Sequence, residues 1–377
     1  MQTGFEAGAA RAGARDAPLL LVCREGCEAV LREEAEAKGA TALRAGPGWL
    51  ALAGGDAPAP FVFEQQRLEQ AAWLDDRPVR ELARRIVVQL LPAIARSPLP
   101  WTLHAFASNP NAAQPLTQRV ALVGKAVLAF CSDRFTAVSR RYRPPDGPAG
   151  SGAAWVLQLC AAPGGLWGAA MPAMRLSAAW PGGVCRMRFD SRAPSRSYLK
   201  IEEAFERLGE APKAGQRVVD LGAAPGGWTY AFLKRGCRVL AVDRGPLKLK
   251  SIGEAGGRLT HLTENGLSFV PPPAWRPADW MVSDMLVAPG QALSVFRTWA
   301  ERGWAKRFVF AVKLPQEHPW PVLAPVEAAL RRYAGGRFQL RQLYHDRREV
   351  TAFGRLPPPV GAGAHPPQFS RGRARRA

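Results

Sequence analysis

The sequence predicts an α/β fold: a doubly wound, mostly parallel sheet with an antiparallel edge over residues 197–357, preceded by an α+β region. Three observations predict it. From Ser197 onward, apolar strand-like runs alternate with helical ones, as a doubly wound sheet requires. The stretch Arg217–Tyr230, RVVDLGAAPGGWTY, reads as a short strand, a strand-end acid, a Gly/Pro-rich turn and a helix start. A second apolar run, CRVLAVD, ends in Asp243, 23 residues after Asp220. That spacing suits one βαβ unit whose two strand ends face one crevice.

Taken in order, residues 1–17 read as a disordered leader. They have no h-region and carry Glu6 and Asp16, which disfavours a signal peptide, with an organelle-targeting role as the minor reading. PLLLVC from Pro18 is a strand, Glu28–Ala37 a helix, TALRAGPGWLALAG a pair of strands about a Gly-Pro turn, and FVFEQ a further strand. VRELARRIVVQLLPAI repeats its apolar residues near helical period, with Arg80, Arg84 and Arg85 on the outer face. These elements make residues 18–98 one α+β unit. Residues 99–173 begin a second, with the strand WTLHAFA and the amphipathic helix LTQRVALVGKAVLAFC. In SRRYRPPDGPAGSGA, Arg140, Arg141 and Arg143 surround Tyr142; the loop reads equally as an RNA contact or as a solvated loop. A second AAPGG, Ala161–Gly165, lacks a preceding acid and is followed by a poor helix start, so it reads as a hairpin turn. Residues 174–196 form a linker. The strands of the last domain are RVVDL, RVLAV, DWMVSD, FVFAVKL, FQLRQLYH and EVTAFGR, with helices near 198–208, 227–235, 288–303 and 321–334. Residues 358–377 form a disordered basic tail ending RGRARRA.

Composition narrows the function. The 377 residues suffice for two cores, and no apolar run reaches transmembrane length. A net charge of +20 favours a polyanionic partner through phosphate contacts, although codon bias can also raise Arg together with Ala, Gly and Pro. Six cysteines, with no CxxC and no accompanying histidine cluster, read as reduced thiols of a cytosolic protein, with no metal centre.

The glycine turn defines a ligand. Gly222, Gly226 and Gly227 let backbone approach where a Cβ would obstruct, and Pro225 stiffens the turn. The order GAAPGG is not the GxGxxG that seats a pyrophosphate. A nucleoside without phosphate fits better, S-adenosyl-L-methionine being the common one; a tight turn with no ligand is the alternative. DLGAAPGGW resembles the cofactor motif of the FtsJ-like ribose 2′-O-methyltransferases.

Four ionisable residues recur at element ends: Lys200, Asp284, Lys313 and Glu349. Their order and local strings resemble the Lys-Asp-Lys-Glu tetrad of that family. The resemblance implies a Rossmann-like domain in which Lys313 is the general base for a ribose 2′-hydroxyl. Lys200 then supplies like charge and holds substrate, while Asp284 and Glu349 orient the amines. It further implies that Gly222, Ala223, Ala224, Pro225, Gly226, Gly227 and Trp228 wrap the cofactor. Asp243 accepts from its ribose hydroxyls, Ser197 lies near its carboxylate, Asn265 lies beside the adenine amine, and Asp284 borders it as well. Asn265 stands where the family usually has Asp, and its other reading is a turn residue before Gly266.

APSRSYLKIEEAF, DRGP, KLP and RQLYHDRREVT narrow the resemblance to a bacterial branch that methylates a cytidine ribose in 23S rRNA. That branch implies a ferredoxin-like segment plus a THUMP RNA-binding domain in the N-terminal half, matched here by length and element order. It also implies 23S rRNA, free or in a pre-50S particle, as partner; the cysteine pattern points to a cytoplasmic location, no membrane partner is expected, and no heptad repeat or long apolar patch argues against a monomer. The same chemistry on tRNA or another RNA is the runner-up. A non-catalytic RNA-binding or assembly protein is disfavoured by the intact tetrad, and a dehydrogenase by the glycine pattern.

Overall fold

The computed structural model describes residues 17–54, 60–109, 114–145, 152–249, 258–316 and 318–357. The leader up to Asp16 and the tail from Pro358 lie outside these. The elements are β1 (Leu19–Val22), α1 (Glu28–Ala37), β2 (Ala42–Gly46), β3 (Trp49–Leu52), β4 (Gln66–Leu68), β5 (Ala72–Asp75), α2 (Val79–Ala95), β6 (Trp101–Ala107), α3 (Gln114–Arg134), α4 (Thr136–Ser139), β7 (Trp155–Ala162) and β8 (Gly165–Pro172). They continue with α5 (Tyr198–Leu208), β9 (Arg217–Leu221), α6 (Gly227–Leu233), β10 (Arg238–Val242), β11 (Arg258–Leu262), β12 (Trp280–Ser283), α7 (Pro289–Glu301), β13 (Arg307–Lys313), α8 (Pro319–Ala334), β14 (Phe338–Arg341) and β15 (Glu349–Arg355).

Three sheets result. The first runs β2-β3-β1-β4, the second β5-β8-β7-β6, the third β11-β10-β9-β12-β13-β15-β14. The uninterrupted apolar run of β1 is explained by burial on both faces. Leu19 and Leu21 point into a core shared with the third sheet, whereas Leu20 and Val22 meet Phe106, Cys160 and Trp167 of the second unit. On the far face of the second sheet, Leu157 and Leu159 pack with Ile86 of α2 and Val123 of α3.

Two expectations for this half are corrected. FVFEQ is not a strand: the N–H groups of Val62 and Phe63 donate to the Glu34 carboxylate and that of Phe61 to Glu64, so side chains take the bonds that a ladder would need. The strand begins only at Gln66. Within the expected unit 18–98, β5 and α2 join the second sheet instead, β5 pairing with β8 and α2 packing against α3. The start of the basic loop is anchored. The Tyr142 ring lies 5.2 Å from that of Trp101, and Arg141 donates to the Ser97 and Leu99 carbonyls. Residues 146–151 of that loop lie outside the described residues. The second AAPGG is the turn of the β7–β8 hairpin.

The stretch 174–196 crosses to the last sheet in contact with the first unit. Gln66 donates to the carbonyls of Ala178 and Trp180. In the third sheet, β9, β10, β11, β12 and β13 are parallel, and β15 is antiparallel to both β13 and β14. Alternation along the strands serves two cores. Val218, Val282 and Val309 pack under α5 and α6, while Val219, Met281 and Phe310 pack with Phe296 of α7 and Leu323 of α8. The strand β11 was not foreseen. The order reverses between β9 and β12, which opens a crevice above their carboxyl ends. Because β15 runs opposite to β13, its first residue lies at the same edge as the last of β13, with Lys313 directly paired to Glu349.

Candidate active site

The turn after β9 is shaped by glycines. Gly222 has φ +76°, and a Cβ there would collide with the Met285 side chain. Gly226 has φ +109° where α6 starts. A Cβ on Gly227 would meet the hydroxyls of Ser195 and Ser197, which lie 2.7 Å apart. Trp228 Nε1 donates to the Ser197 carbonyl at 3.0 Å, tying the turn to the start of α5. Ser197 is thus beside the turn.

Asp243, after β10, accepts from the N–H groups of Ala224 (3.0 Å) and Gly245 (2.7 Å). The strand end and the turn are thereby locked together. Asp220 is fully buried and accepts from the Thr229 hydroxyl at 2.6 Å. Burial, with the Asp284 charge adding to it and the Thr229 hydrogen bond opposing, pushes its carboxyl up to about 7. Asn265 is exposed, and its Oδ1 accepts from Leu267 N–H at 3.1 Å, so the turn role is the one seen. Gly266 next to it lies close to Gly222 N and Met285 Sδ, so Asn265 borders the crevice.

Lys200, Asp284, Lys313 and Glu349 converge. Lys200 Nζ donates to Asp284 Oδ2 at 2.7 Å and Glu349 Oε1 at 2.9 Å. Lys313 Nζ donates to Asp284 Oδ1 at 2.8 Å and to Glu349 Oε2. Two amines and two carboxylates alternate around a ring, so the unit is formally neutral. Asp284 follows β12, Lys313 ends β13, Glu349 opens β15 and Lys200 comes from the first turn of α5. Burial works against the charge on Lys200, but Asp284 and Glu349 overcome it and hold its pKa above the ordinary value. Burial likewise opposes the charge on Glu349, and Lys200 and Lys313 together hold it below the ordinary carboxylate value. Lys200 and Glu349 are buried, whereas Lys313 is about one-fifth exposed and faces the opening.

That opening is a cleft of about 970 Å³ lined by the ring and by Arg24, Ser108, Arg196, Arg347 and Arg348. A larger cleft, about 1150 Å³, runs between His104, Trp180 and Arg341 and touches none of the four. The ring and the glycine turn share an edge of the sheet, so the first cleft is the one with chemistry.

Sequence reasoning missed two neighbours. Asp346 is buried three residues before Glu349, accepting from Leu343 N–H and the Thr351 hydroxyl; burial first, then the Glu349 charge, raises it well above its ordinary value. Arg24, from the first unit, donates to four carbonyls of the same connection. The string YHDRREV shows the acid but not its burial, and nothing near Arg24 points to its partners. The six cysteines are free thiols. Cys185, Glu203 and His345 approach within 4.8 Å of one another, a grouping the spacing did not reveal. The Glu203 oxygens are already engaged by Arg207 and the N–H groups of Tyr344 and His345. Among the described residues no helix is long and apolar enough to cross a membrane.

A glycine-rich turn after the first parallel strand of the third sheet, beside a ring of two lysines and two carboxylates, defines a class, and a family model described as FtsJ-like methyltransferase matches residues 193–299. The Ribosomal RNA large subunit methyltransferase M of Laribacter hongkongensis is 43% identical over 199 residues, 49% of this chain and 54% of that protein. The chain thus spans about half the length of that relative, as of those from Thauera aminoaromatica (49%) and Azoarcus sp. (50%). The protein of the same name from Halorhodospira halophila is 32% identical over 357 residues, 89% of this chain and 96% of that one. The chain belongs to the ribosomal RNA large subunit methyltransferase M family. Among solved structures, the T. thermophilus 16S rRNA N2 G1207 methyltransferase is 18% identical, covering 54% of this chain and 51% of that one at a TM-score of 0.31, too faint a likeness to bear on the site.

Proposed function

We propose that the chain methylates a cytidine ribose 2′-hydroxyl of 23S rRNA, with S-adenosyl-L-methionine as methyl donor and Lys313 as general base. The observation that carries this reading is the ring of Lys200, Asp284, Lys313 and Glu349 beside the Gly222–Trp228 turn. The turn fits the donor, since Gly222, at φ +76° and packed too close to Met285 for a Cβ, turns the backbone at the end of β9, and Asp243 stands at the neighbouring strand end. Gly222, Ala223, Ala224, Pro225, Gly226, Gly227 and Trp228 would hold it, with Ser197, Asp243 and Asn265. When bound it supplies a sulfonium methyl.

The chain's own residues do the rest. Lys313, the more exposed amine, in its neutral form takes the proton of the 2′-hydroxyl through its free pair as the methyl leaves the sulfonium. Lys200 stays charged, held so by both carboxylates, and faces the oxygen as negative charge grows on it. Asp284 and Glu349 fix both amines, which limits the motion that would spoil in-line geometry. Arg196, Arg347 and Arg348 of the cleft meet phosphates.

In this reading the catalytic domain is Rossmann-like, and the two N-terminal sheets form a ferredoxin-like segment and a THUMP RNA-binding unit, with the junction near residue 70 where β5 leaves the first sheet. The protein works as a cytoplasmic monomer on free 23S rRNA or a pre-50S particle. The test is to map 2′-O-methyl groups in 23S rRNA from cells lacking this protein, and to restore them with wild type but not with Lys313→Ala. Unchanged rRNA methylation in the deleted cells refutes the substrate. Full restoration by Lys313→Ala refutes the base.

A further inference from the structure

The connection between β14 and β15 is gripped from outside its own domain. Arg24, in the turn between β1 and α1, is half-buried. Its Nη1 donates to the carbonyls of Asp346 (2.7 Å) and Arg347 (3.2 Å), and its Nη2 to those of Tyr344 (2.9 Å) and Leu343 (3.2 Å). Four carbonyls on one planar guanidinium leave the connection little freedom. The same unit adds Val62 O to Gln342 N–H at 2.8 Å and Phe61 O to Arg341 Nη1 at 2.7 Å. From inside, Asp346 folds the connection on itself through Leu343 N–H and Thr351. Glu349 begins two residues beyond Arg347. Thus one wall of the catalytic ring rests on a side chain from the N-terminal unit.

We propose that Arg24 is a positioning residue for the methyl transfer: by fixing Leu343–Arg347 it sets Glu349 against both lysines, so that the N-terminal unit is part of the catalytic apparatus and not only a binding attachment. This rests on the function proposed above. Arg24 also lines the cleft, and a guanidinium there could instead meet a substrate phosphate. The two roles predict different kinetics. A phosphate contact acts on RNA binding, whereas a positioning contact acts on turnover.

The test uses the full chain with Arg24→Ala and Arg24→Lys. With positioning, kcat on 23S rRNA falls by about tenfold to a hundredfold, the scale on which small misplacements of reacting groups act. The Kd for S-adenosyl-L-methionine and the KM for RNA stay within about threefold. Millimolar guanidinium restores part of the kcat of Arg24→Ala. Lysine cannot span four carbonyls, so Arg24→Lys shows the same loss and carries the kinetic test should the alanine variant not fold. Hydrogen exchange provides an arm independent of activity: amides of residues 342–349 exchange at least about tenfold faster in the variant, while those of 222–228 do not change. Unchanged kcat, a loss confined to KM, or unchanged exchange in 342–349 overturns the proposal. A wild-type protein that fails to methylate 23S rRNA, yet shows the exchange difference, overturns the substrate reading and leaves the clamp standing.

Discussion

Lys200 and Lys313 share the same two carboxylates: each amine donates to one oxygen of Asp284 and to one oxygen of Glu349. The pair is not symmetric. Lys200 is almost wholly buried, and Lys313 is open to the cleft. Lys313 is therefore the amine more accessible from the cleft, and Lys200 is the one that both carboxylates hold as a cation.

Lys313→Ala should lower kcat by roughly 10²–10⁴, the usual worth of a positioned base. Lys313→Arg should be equally impaired, because a guanidinium is not deprotonated. Methyl transfer from labelled donor to rRNA measures both, with cofactor binding by calorimetry as the control, expected within about twofold of wild type.

Removing one member of the buried ring leaves charge without a partner. Lys200→Met should cost about 3 kcal/mol of stability by urea unfolding. The double variant Lys200→Met, Glu349→Gln should lose less than the sum of the two single changes. Additive losses would mean that the two groups do not interact.

The ring also sets a pH dependence. Glu349 sits below its ordinary 4.5, so its stabilisation is complete above that value and is lost as pH falls through its folded value. Lys200 sits above its ordinary 10.5, so its share is complete below 10.5 and is lost as pH rises beyond. Glu349→Gln should flatten the acid limb of the stability profile, read from urea midpoints below about pH 5.

Asp220 has the opposite sign. Its carboxyl is raised from 3.8 to about 7, so the folded state holds the proton more tightly and stability declines as pH rises through that window. Asp220→Asn keeps an acceptor for Thr229 and should remove this decline. The variant should compare more favourably with wild type at about pH 8 than at about pH 5.

Asp243→Ala removes the acceptor for Ala224 and Gly245 as well as the ribose contact proposed above. The Kd for S-adenosyl-L-methionine should rise by about 10- to 100-fold, the scale of charge-assisted hydrogen bonds. A Kd within about threefold of wild type would refute that contact.

The catalytic sheet was legible because its signals are local. Strands buried on both faces read as unbroken apolar runs, and the Gly222–Gly227 turn declares itself by residue type. The element-end positions of Lys200, Asp284, Lys313 and Glu349 were legible locally, but their grouping only through a family resemblance, since a lysine at a strand end is common by chance. What failed was non-local. FVFEQ has strand composition, but Glu34, on α1, takes its N–H groups. β5 and α2 follow the first sheet in the chain and join the second. The contact of Tyr142 with Trp101, 41 residues earlier in the chain, was likewise out of reach of a local reading. Arg24 has its partners between 319 and 323 residues away, beyond any window of sequence reading.

The ladder between β13 and β15 begins at Arg307 with Arg355 and closes at Lys313 with Glu349. Side chains alternate along a strand, so a slip by one residue would turn Glu349 to the opposite surface of the sheet and give every pair of this ladder a new partner. Changes of length within α8 can be absorbed without that slip, whereas a misregistered β15 cannot be repaired from elsewhere. Such a slip would cost packing as well as turnover, because Val350 and Phe353, which serve the cores on opposite faces of the sheet, would change sides together with Glu349.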